Sequence, residues 1–330
     1  MKNIMRSGNN PEKYKGEKNI LKRHRVVVVF YIPLSEAEYF KELDLVLDKC
    51  LFSLTKTINS ETTALTIINN NSAPHVQSIV DKYKHHIDKY VVYSENKGKV
   101  YAVLNEVRGI NEEFVTISDA DILFFNGWEK AVFDVFSNHP RAGVVSPHPC
   151  PYTTFHFNQS VFGLNSLRNN IGYGKNVSDD DIDLYIKGTD LPKIIHRRMG
   201  KYDWREKQYI LKKPVPAVIG AYHVVSTYRT IQFRNIYHFP EIKFKNSYES
   251  EFIDCLADKK GMFRLSTVQS YIYHMGNKLD DVAAVEYDQN NFKISAEFLQ
   301  AIRPFLVQKK FHIMINRIIG RIFIKFKWNK

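Results

Sequence analysis

The sequence predicts an α/β protein: a mostly parallel sheet flanked by helices, a smaller loop-rich subregion, and a C-terminal amphipathic helical extension. Three observations predict it. Apolar, β-branched runs alternate with segments of helical period along the first 146 residues, the pattern of successive βαβ units. Polar or turn-forming residues close those runs, at the strand ends where α/β sheets bind ligands. Composition is that of an ordinary globular chain, with 44% hydrophobic and 25% charged residues among 330.

Val26–Ile32 reads as a buried strand, and Leu43, Val46, Leu47, Cys50, Leu51 and Leu54 repeat at helical spacing. Leu65–Ile68 is a second strand, closed by the turn run Asn69-Asn70-Asn71-Ser72. Val76, Ile79, Val80 and Tyr83 mark another helix, Tyr90–Tyr93 a third strand and Lys99–Val107 a helix. Phe114–Ile117 is a fourth strand, Gly127–Phe136 a helix ending near Pro140, and Ala142–Val145 a further strand. Residues 147–213, rich in Pro, Asn, Gly and Tyr, are expected to be long cleft-shaping loops. Asn170–Lys175 reads as a mobile lid over the cleft or, more simply, as a glycine turn, and Asp179-Asp180-Asp181 as a surface acidic loop. Val215–Ala221 resumes a strand, Ser250–Lys260 is helical, and Gln269–Tyr273 is a strand leading into His274.

Net charge is +12, and its distribution narrows the function classes. Residues 1–25 contribute +6 and residues 301–330 contribute +8, which leaves −2 for the body. A nucleic-acid enzyme carries its basic surface along the groove of the folded body, so no nucleic-acid partner is expected. Residues 1–22 read as a disordered basic leader. In residues 301–330, Lys310, Arg317, Arg321 and Lys325 draw one cationic stripe beside Phe311, Ile315, Ile318, Ile322 and Phe326. That pattern suits a helix lying in the headgroup region of an anionic membrane; the alternative is a helix docked on the protein's own core. No run approaches the ~20 apolar residues of a membrane span, and no secretory leader is visible. Cys50, Cys150 and Cys255 are widely spaced, which suits a reducing cytoplasm.

Asp119-Ala120-Asp121 directly follows an apolar strand, so both carboxylates are expected at a cleft. Two close carboxylates repel unless a cation neutralises them, and hard divalent ions take carboxylate oxygens. His274 closes another strand just before Gly276 and could complete such a site through an imidazole nitrogen. Glu249, Glu251 and Asp254 open a helix, where the helix dipole also favours acids. Arg197, Arg198, Lys201, Arg205 and Lys207, around Tyr202 and Trp204, form either an anion clamp or a solvated loop face.

The ordered set Tyr31-Ile32-Pro33, Asn69–Ser72, Glu95-Asn96-Lys97-Gly98-Lys99, Asp119-Ala120-Asp121, Gly220-Ala221, an acidic helix start and Tyr273-His274 resembles the family 2 glycosyltransferases of the GT-A (Rossmann-like) fold, across residues 24–276. The resemblance implies a metal-dependent inverting, non-processive transferase, moving a sugar from a nucleoside-diphosphate sugar, a UDP-sugar favoured, to a glycan or lipid-linked acceptor in surface polysaccharide synthesis. It implies that Pro33, Asn69, Asn96, Lys99, Asp119 and Trp128 line the nucleotide-sugar site, and that Asp121, Asp119 and His274 hold Mn²⁺ or Mg²⁺. It matches Glu251 to the catalytic base, with Glu249 and Asp254 competing because no Glu-Asp dipeptide is present. It divides the chain into the leader, a transferase domain over 23–290 (nucleotide-binding half 23–146, acceptor and catalytic half 147–290) and basic amphipathic helices over 291–330. With the basic tail, the resemblance gives a cytoplasmic protein, peripheral at the inner face of the cell membrane. The competing readings are a sugar-phosphate nucleotidyltransferase, disfavoured because Tyr31–Ser35 holds no glycine-rich phosphate loop, and a non-enzymatic basic protein binding nucleic acid or membrane surfaces.

Overall fold

Runs of valine and isoleucine dictate the centre of the molecule, because β-branched side chains pack well on a pleated surface buried on both faces. In the computed structural model, which describes residues 22–189, 202–238, 248–284 and 293–328 together with Gly8, these runs form one ten-stranded sheet. The strands are β1 (His24–Phe30), β2 (Thr63–Asn69), β3 (Lys89–Val92), β4 (Phe114–Asp119), β5 (Ile122–Phe124) and β6 (Ala142–Ser146). They continue with β7 (Ile171–Gly174), β8 (Gln208–Leu211), β9 (Ala217–Ile219), β10 (Val225–Arg229), β11 (Phe263–Ser266) and β12 (Ile272–His274). The helices are α1 (Leu43–Thr57), α2 (Gln77–Lys82), α3 (Lys99–Val107), α4 (Trp128–Asn138), α5 (Gln159–Asn165), α6 (Asp179–Thr189), α7 (Cys255–Lys259), α8 (Ala296–Ala301) and α9 (Lys310–Trp328). Sheet order is β3-β2-β1-β4-β10-β6-β11-β9-β8-β7, and β5 pairs with β12 in a separate ladder.

The α/β architecture expected from the sequence is present. β3, β2, β1 and β4 run parallel, as do β6 and β11, while β10 lies antiparallel between β4 and β6. Apolar clusters cover both faces: Leu47, Leu51, Trp128 and Phe133 pack on one, Val103, Val107, Tyr228 and Phe233 on the other. All three cysteines are free and buried.

Residues 147–213 depart from the expected loops. Within that stretch α5, β7, α6 and β8 form, each anchored by a short apolar set such as Val161 and Phe162 or Ile182 and Tyr185. The sets are too short, and too punctuated by Asn and Gly, for period to reveal them. Within Asn170–Lys175, Ile171–Gly174 is the antiparallel strand β7 rather than a turn; a β-carbon on Gly172 would meet Ile210 Cγ1 at 2.9 Å, so glycine permits the close pairing. Asp179–Asp181 is the first turn of α6, where its dipole favours acids, and Ser178 Oγ accepts from the Asp181 amide at 3.1 Å. The leader over 1–22 falls, except for Gly8 and Lys22, outside the described residues.

Helix α9 docks on the protein's own body through one face. Gly163 and Gly320 let α9 and α5 approach: β-carbons there would lie 1.7 Å from Asn316 O and 1.9 Å from Gln159 O. Phe162 and Phe323 stack at 5.1 Å, and Arg317 Nε donates to the buried Asp258 carboxylate at 3.0 Å. No described helix is long and apolar enough to cross a membrane. Gly320→Val is expected to destabilise the chain by about 1–3 kcal/mol, because the obstructing atoms, those of Gln159, are backbone. Thermal melting checks it, and limited proteolysis is expected to cut the α9 connection first.

Candidate active site

β1, β2 and β4 run parallel and end on one side of the sheet, and the sequence decides which side chains stand there. β2 ends in Asn69, whose Oδ1 accepts from the Ser72 amide at 2.7 Å and whose Nδ2 donates to Tyr90 Oη at 3.1 Å. Asn69 thus holds the turn and is buried. Its neighbour Asn70, not singled out from sequence, donates to Asn96 Oδ1 at 3.0 Å and accepts from the Lys97 amide at 3.0 Å. Asn96 Oδ1 also accepts from the Gly98 amide at 2.8 Å, so the segment before α3 is tied to the end of β2. Gly98 caps α3 at φ 83°, a left-handed conformation that L side chains rarely adopt. Pro33 lies beyond β1, partly exposed.

Lys99, the first residue of α3, lies 2.5 Å from Asp119 and 3.2 Å from Glu249. Burial opposes its charge, but the two carboxylates outweigh burial and hold the ammonium above its ordinary value. Burial and the nearby Asp121 push the Asp119 carboxyl up, despite the pull of Lys99. For Glu249 burial pushes up as well, yet Lys99 and His223 prevail and leave the carboxyl below its usual range. Glu249 is therefore a carboxylate at neutral pH, able to accept a proton.

Asp121 and His274 meet because β5 and β12 pair antiparallel, placing His274 opposite Ile122, while the Met275 amide donates to Asp121 O at 2.8 Å. His274 Nε2 lies 3.0 Å from Asp121 Oδ2, and Nδ1 lies 2.9 Å from Gly188 O. Both partners are acceptors, so both nitrogens donate and the ring is an imidazolium. Burial lowers the pKa of His274, but the Asp121 charge overrides it and raises the value to about 9. Asp121 Oδ1 is buried without a hydrogen-bond partner. An orphaned carboxylate oxygen beside an imidazole fits a divalent cation that completes its shell from a ligand, although the described residues contain no cluster of three protein ligands.

The three acids of the helix start separate. Glu249 faces Lys99. Asp254 is buried, accepts from His223 Nδ1 at 2.9 Å and pairs with Arg264 at 3.2 Å. Burial would raise its pKa, but Arg264 and His223 bring it to about 2. The folded value lies below the unfolded one, so the stability this gives is present above pH ~4 and is lost as pH falls towards 2. Glu251 is exposed, within a π-turn over Ser250–Asp254.

One site expectation needs correction. Trp128 is 0% exposed and lines no cleft; its Nε1 donates to Thr57 Oγ1 at 3.0 Å and its ring packs on Phe124. An indole buries more surface than any other side chain, and here the core between α1 and α4 takes it. Tyr202 and Trp204 are likewise core, and Arg205 pairs with Asp183; Arg197, Arg198 and Lys201 lie outside the described residues. Sequence reasoning missed His223, although it stands three residues after Gly220. It also missed Tyr39, whose hydroxyl is pushed up by partial burial and by Asp121 and Asp119. A small cavity of about 10 Å³ beside His274 is walled by Tyr185, Tyr222, Tyr273 and the buried His148.

Residues 39–181 match glycosyl transferase family 2. No curated protein matches the chain. Among solved structures, residues 1–349 of TarS from S. aureus align at 15% identity with a TM-score of 0.44, over 77% of this chain and 60% of that one. The same fragment in complex with UDP-GlcNAc aligns at 14% identity and 0.46, over 92% and 73%. The mannosyltransferase PcManGT of Pyrobaculum calidifontis, in complex with GDP-Man and Mn²⁺, aligns at 13% and 0.44, over 75% and 55%. The chain thus spans 60% of TarS 1–349 in the first of those alignments, 73% in the second, and 55% of PcManGT.

Proposed function

We propose that the chain, whose residues 39–181 match glycosyl transferase family 2, is an inverting, metal-dependent transferase that moves a sugar from a nucleoside-diphosphate sugar to a glycan or lipid-linked acceptor. A UDP-sugar is the favoured donor, and the product belongs to surface polysaccharide synthesis. The observation that carries this reading is the convergence of Asp121 with His274, and of Lys99 with Asp119 and Glu249, at the ends of β4 and β5.

Residues 23–146 supply the nucleotide side and 147–290 the acceptor side. Pro33, Asn69, Asn70 and Asn96 shape the nucleotide wall. Lys99 sets a positive charge where the diphosphate gains negative charge, the place at which electrostatic stabilisation lowers a barrier. Asp121 and His274 are the residues that would hold Mn²⁺ or Mg²⁺, His274 giving up its Nε2 proton. Once bound, such an ion supplies further charge to the departing diphosphate. Glu249 takes the proton of the acceptor hydroxyl as it attacks the anomeric carbon. One base opposite the leaving group gives a single in-line displacement, hence inversion. Residues 301–330 hold the enzyme at an anionic membrane surface, on the cytoplasmic face where a lipid-linked acceptor would be met.

Thermal shift with UDP-, GDP-, dTDP- and CMP-sugars, each with and without Mn²⁺, tests the reading, since a ligand that binds only the folded state raises its melting point. One nucleotide class is expected to raise the midpoint, more strongly with Mn²⁺. No shift from any of them would remove the donor assignment.

A further inference from the structure

Helix α9 has a second apolar face that the protein does not cover. Phe311, Met314, Ile318, Ile322 and Phe326 are each about half exposed or more, and their spacing of three to four residues makes one stripe turned away from the Gly320 contact. Along the edge of that stripe, Lys310, Arg317 and Arg321 join Lys259, the last residue of α7, around an open groove of about 220 Å³ lined also by Met314 and Ile318. No acid lines it. The adjacent acid, Asp258, is buried and committed to Arg317 Nε and to the Ser160 amide, so it pins a guanidinium at the groove wall without offsetting the rest.

We propose that this groove takes the phosphate of an anionic phospholipid, whose acyl chains continue along the apolar stripe of α9. The proposal rests on the membrane-surface reading above and deepens it, from a cationic tail to a defined headgroup site. Charge complementarity selects an anion, since Lys259, Lys310 and Arg321, beside the Arg317–Asp258 pair, surround a space that no acid lines. The stripe selects a lipid over a nucleic acid, because a phosphate backbone offers nothing to cover five exposed apolar side chains, whereas an acyl layer does. Docking through Gly163 and Gly320 matters here: it fixes the roll of α9, so that the stripe faces outward as one surface. The groove also stands near the proposed chemistry. The helical segment from Glu249 to Lys259 spans roughly 15 Å, with its first residue at Lys99 and its last at the groove. A lipid-linked acceptor held at that membrane surface lies within reach of the proposed base.

Flotation of the full chain with phosphatidylcholine vesicles, and with phosphatidylcholine–phosphatidylglycerol vesicles, tests it. The wild type is expected to bind the anionic vesicles in a salt-sensitive way and the neutral ones weakly. A basic side chain near an anionic surface contributes about fivefold, so Lys310→Glu with Arg321→Glu is expected to lower that binding roughly thirtyfold or more. Lys310→Arg with Arg321→Lys is expected to retain it, and circular dichroism controls for folding. Equal binding of both vesicle types leaves the membrane reading standing on the stripe alone and overturns the groove. Wild-type binding by the charge-reversed variant overturns it as well. Absence of all vesicle binding overturns both, while donor turnover, read separately as release of UDP by hydrolysis of a UDP-sugar, is untouched. Inorganic phosphate that raises the melting point without vesicle binding marks a free-phosphate site and overturns the lipid.

Discussion

Glu249→Gln is expected to lower turnover by about 10²–10⁴-fold, while leaving the donor's effect on melting temperature close to that of the wild type. The amide keeps the volume of the carboxylate and can still be placed beside Lys99, but it cannot take a proton from an attacking hydroxyl. Glu251→Gln is the paired control. Glu251 is solvent-exposed, whereas Glu249 stands 3.2 Å from Lys99, so the Glu251 variant is expected to turn over within about twofold of the wild type, as changes at exposed positions do. Transfer is measured with one donor and one acceptor at saturating concentrations, since an effect confined to kcat separates a lost base from a lost binding contact. Should Glu251→Gln be the slow enzyme, the base assignment made from the resemblance stands and the one made from Lys99 falls. Asp254→Asn gives a third outcome. It removes a carboxylate held by Arg264 and His223, so its main effect is expected on stability: an Arg264 side chain 2% exposed is left with a buried, uncompensated charge.

The contrast between Glu249 and Glu251 shows where the sequence stops being legible. Two residues apart at a helix start, they point about 200° apart, and only packing decides which one meets the cleft. Lys99 makes that decision from a helix 150 residues upstream, and the π-turn over Ser250–Asp254 alters the local register that spacing alone would assume. Strand ends were readable for the opposite reason. Val26–Ile32, Leu65–Ile68 and Phe114–Ile117 are continuous apolar runs with polar closures, a local signal that needs no partner. His274 was readable as the polar end of one such run, but its pairing with Asp121 depends on the β5–β12 ladder between segments 150 residues apart. Trp128 misled because an aromatic beside a glycine has the same local appearance in a cleft and in a core. Helix α9 divides the two readings its sequence allowed: Gly163 and Gly320 dock one face on the body, and the Phe311–Phe326 stripe remains outside.

Asp121→Ala is expected to abolish the part of donor binding that depends on Mn²⁺, a loss of at least about 100-fold in apparent affinity, since even partners one shell removed from a metal cost 10–100-fold. The argument starts from Asp121 Oδ1, a buried acceptor with no donor. Left so, it costs about 1–3 kcal/mol, a cost that a bound cation removes. His274→Ala is expected to produce a similar loss, and the double variant little more, because two ligands of one ion act as a unit and their effects do not add. Asp119→Asn serves as the contrast. Asp119 faces Lys99 at 2.5 Å rather than His274, so its replacement is expected to weaken donor binding with and without Mn²⁺ alike. Isothermal titration of the nucleotide sugar, with Mn²⁺ and with a chelator, separates the two patterns. If Asp121→Ala keeps the full Mn²⁺ enhancement, the cation sits elsewhere, and the Asp121–His274 contact is an ordinary buried ion pair that fastens β5 to β12.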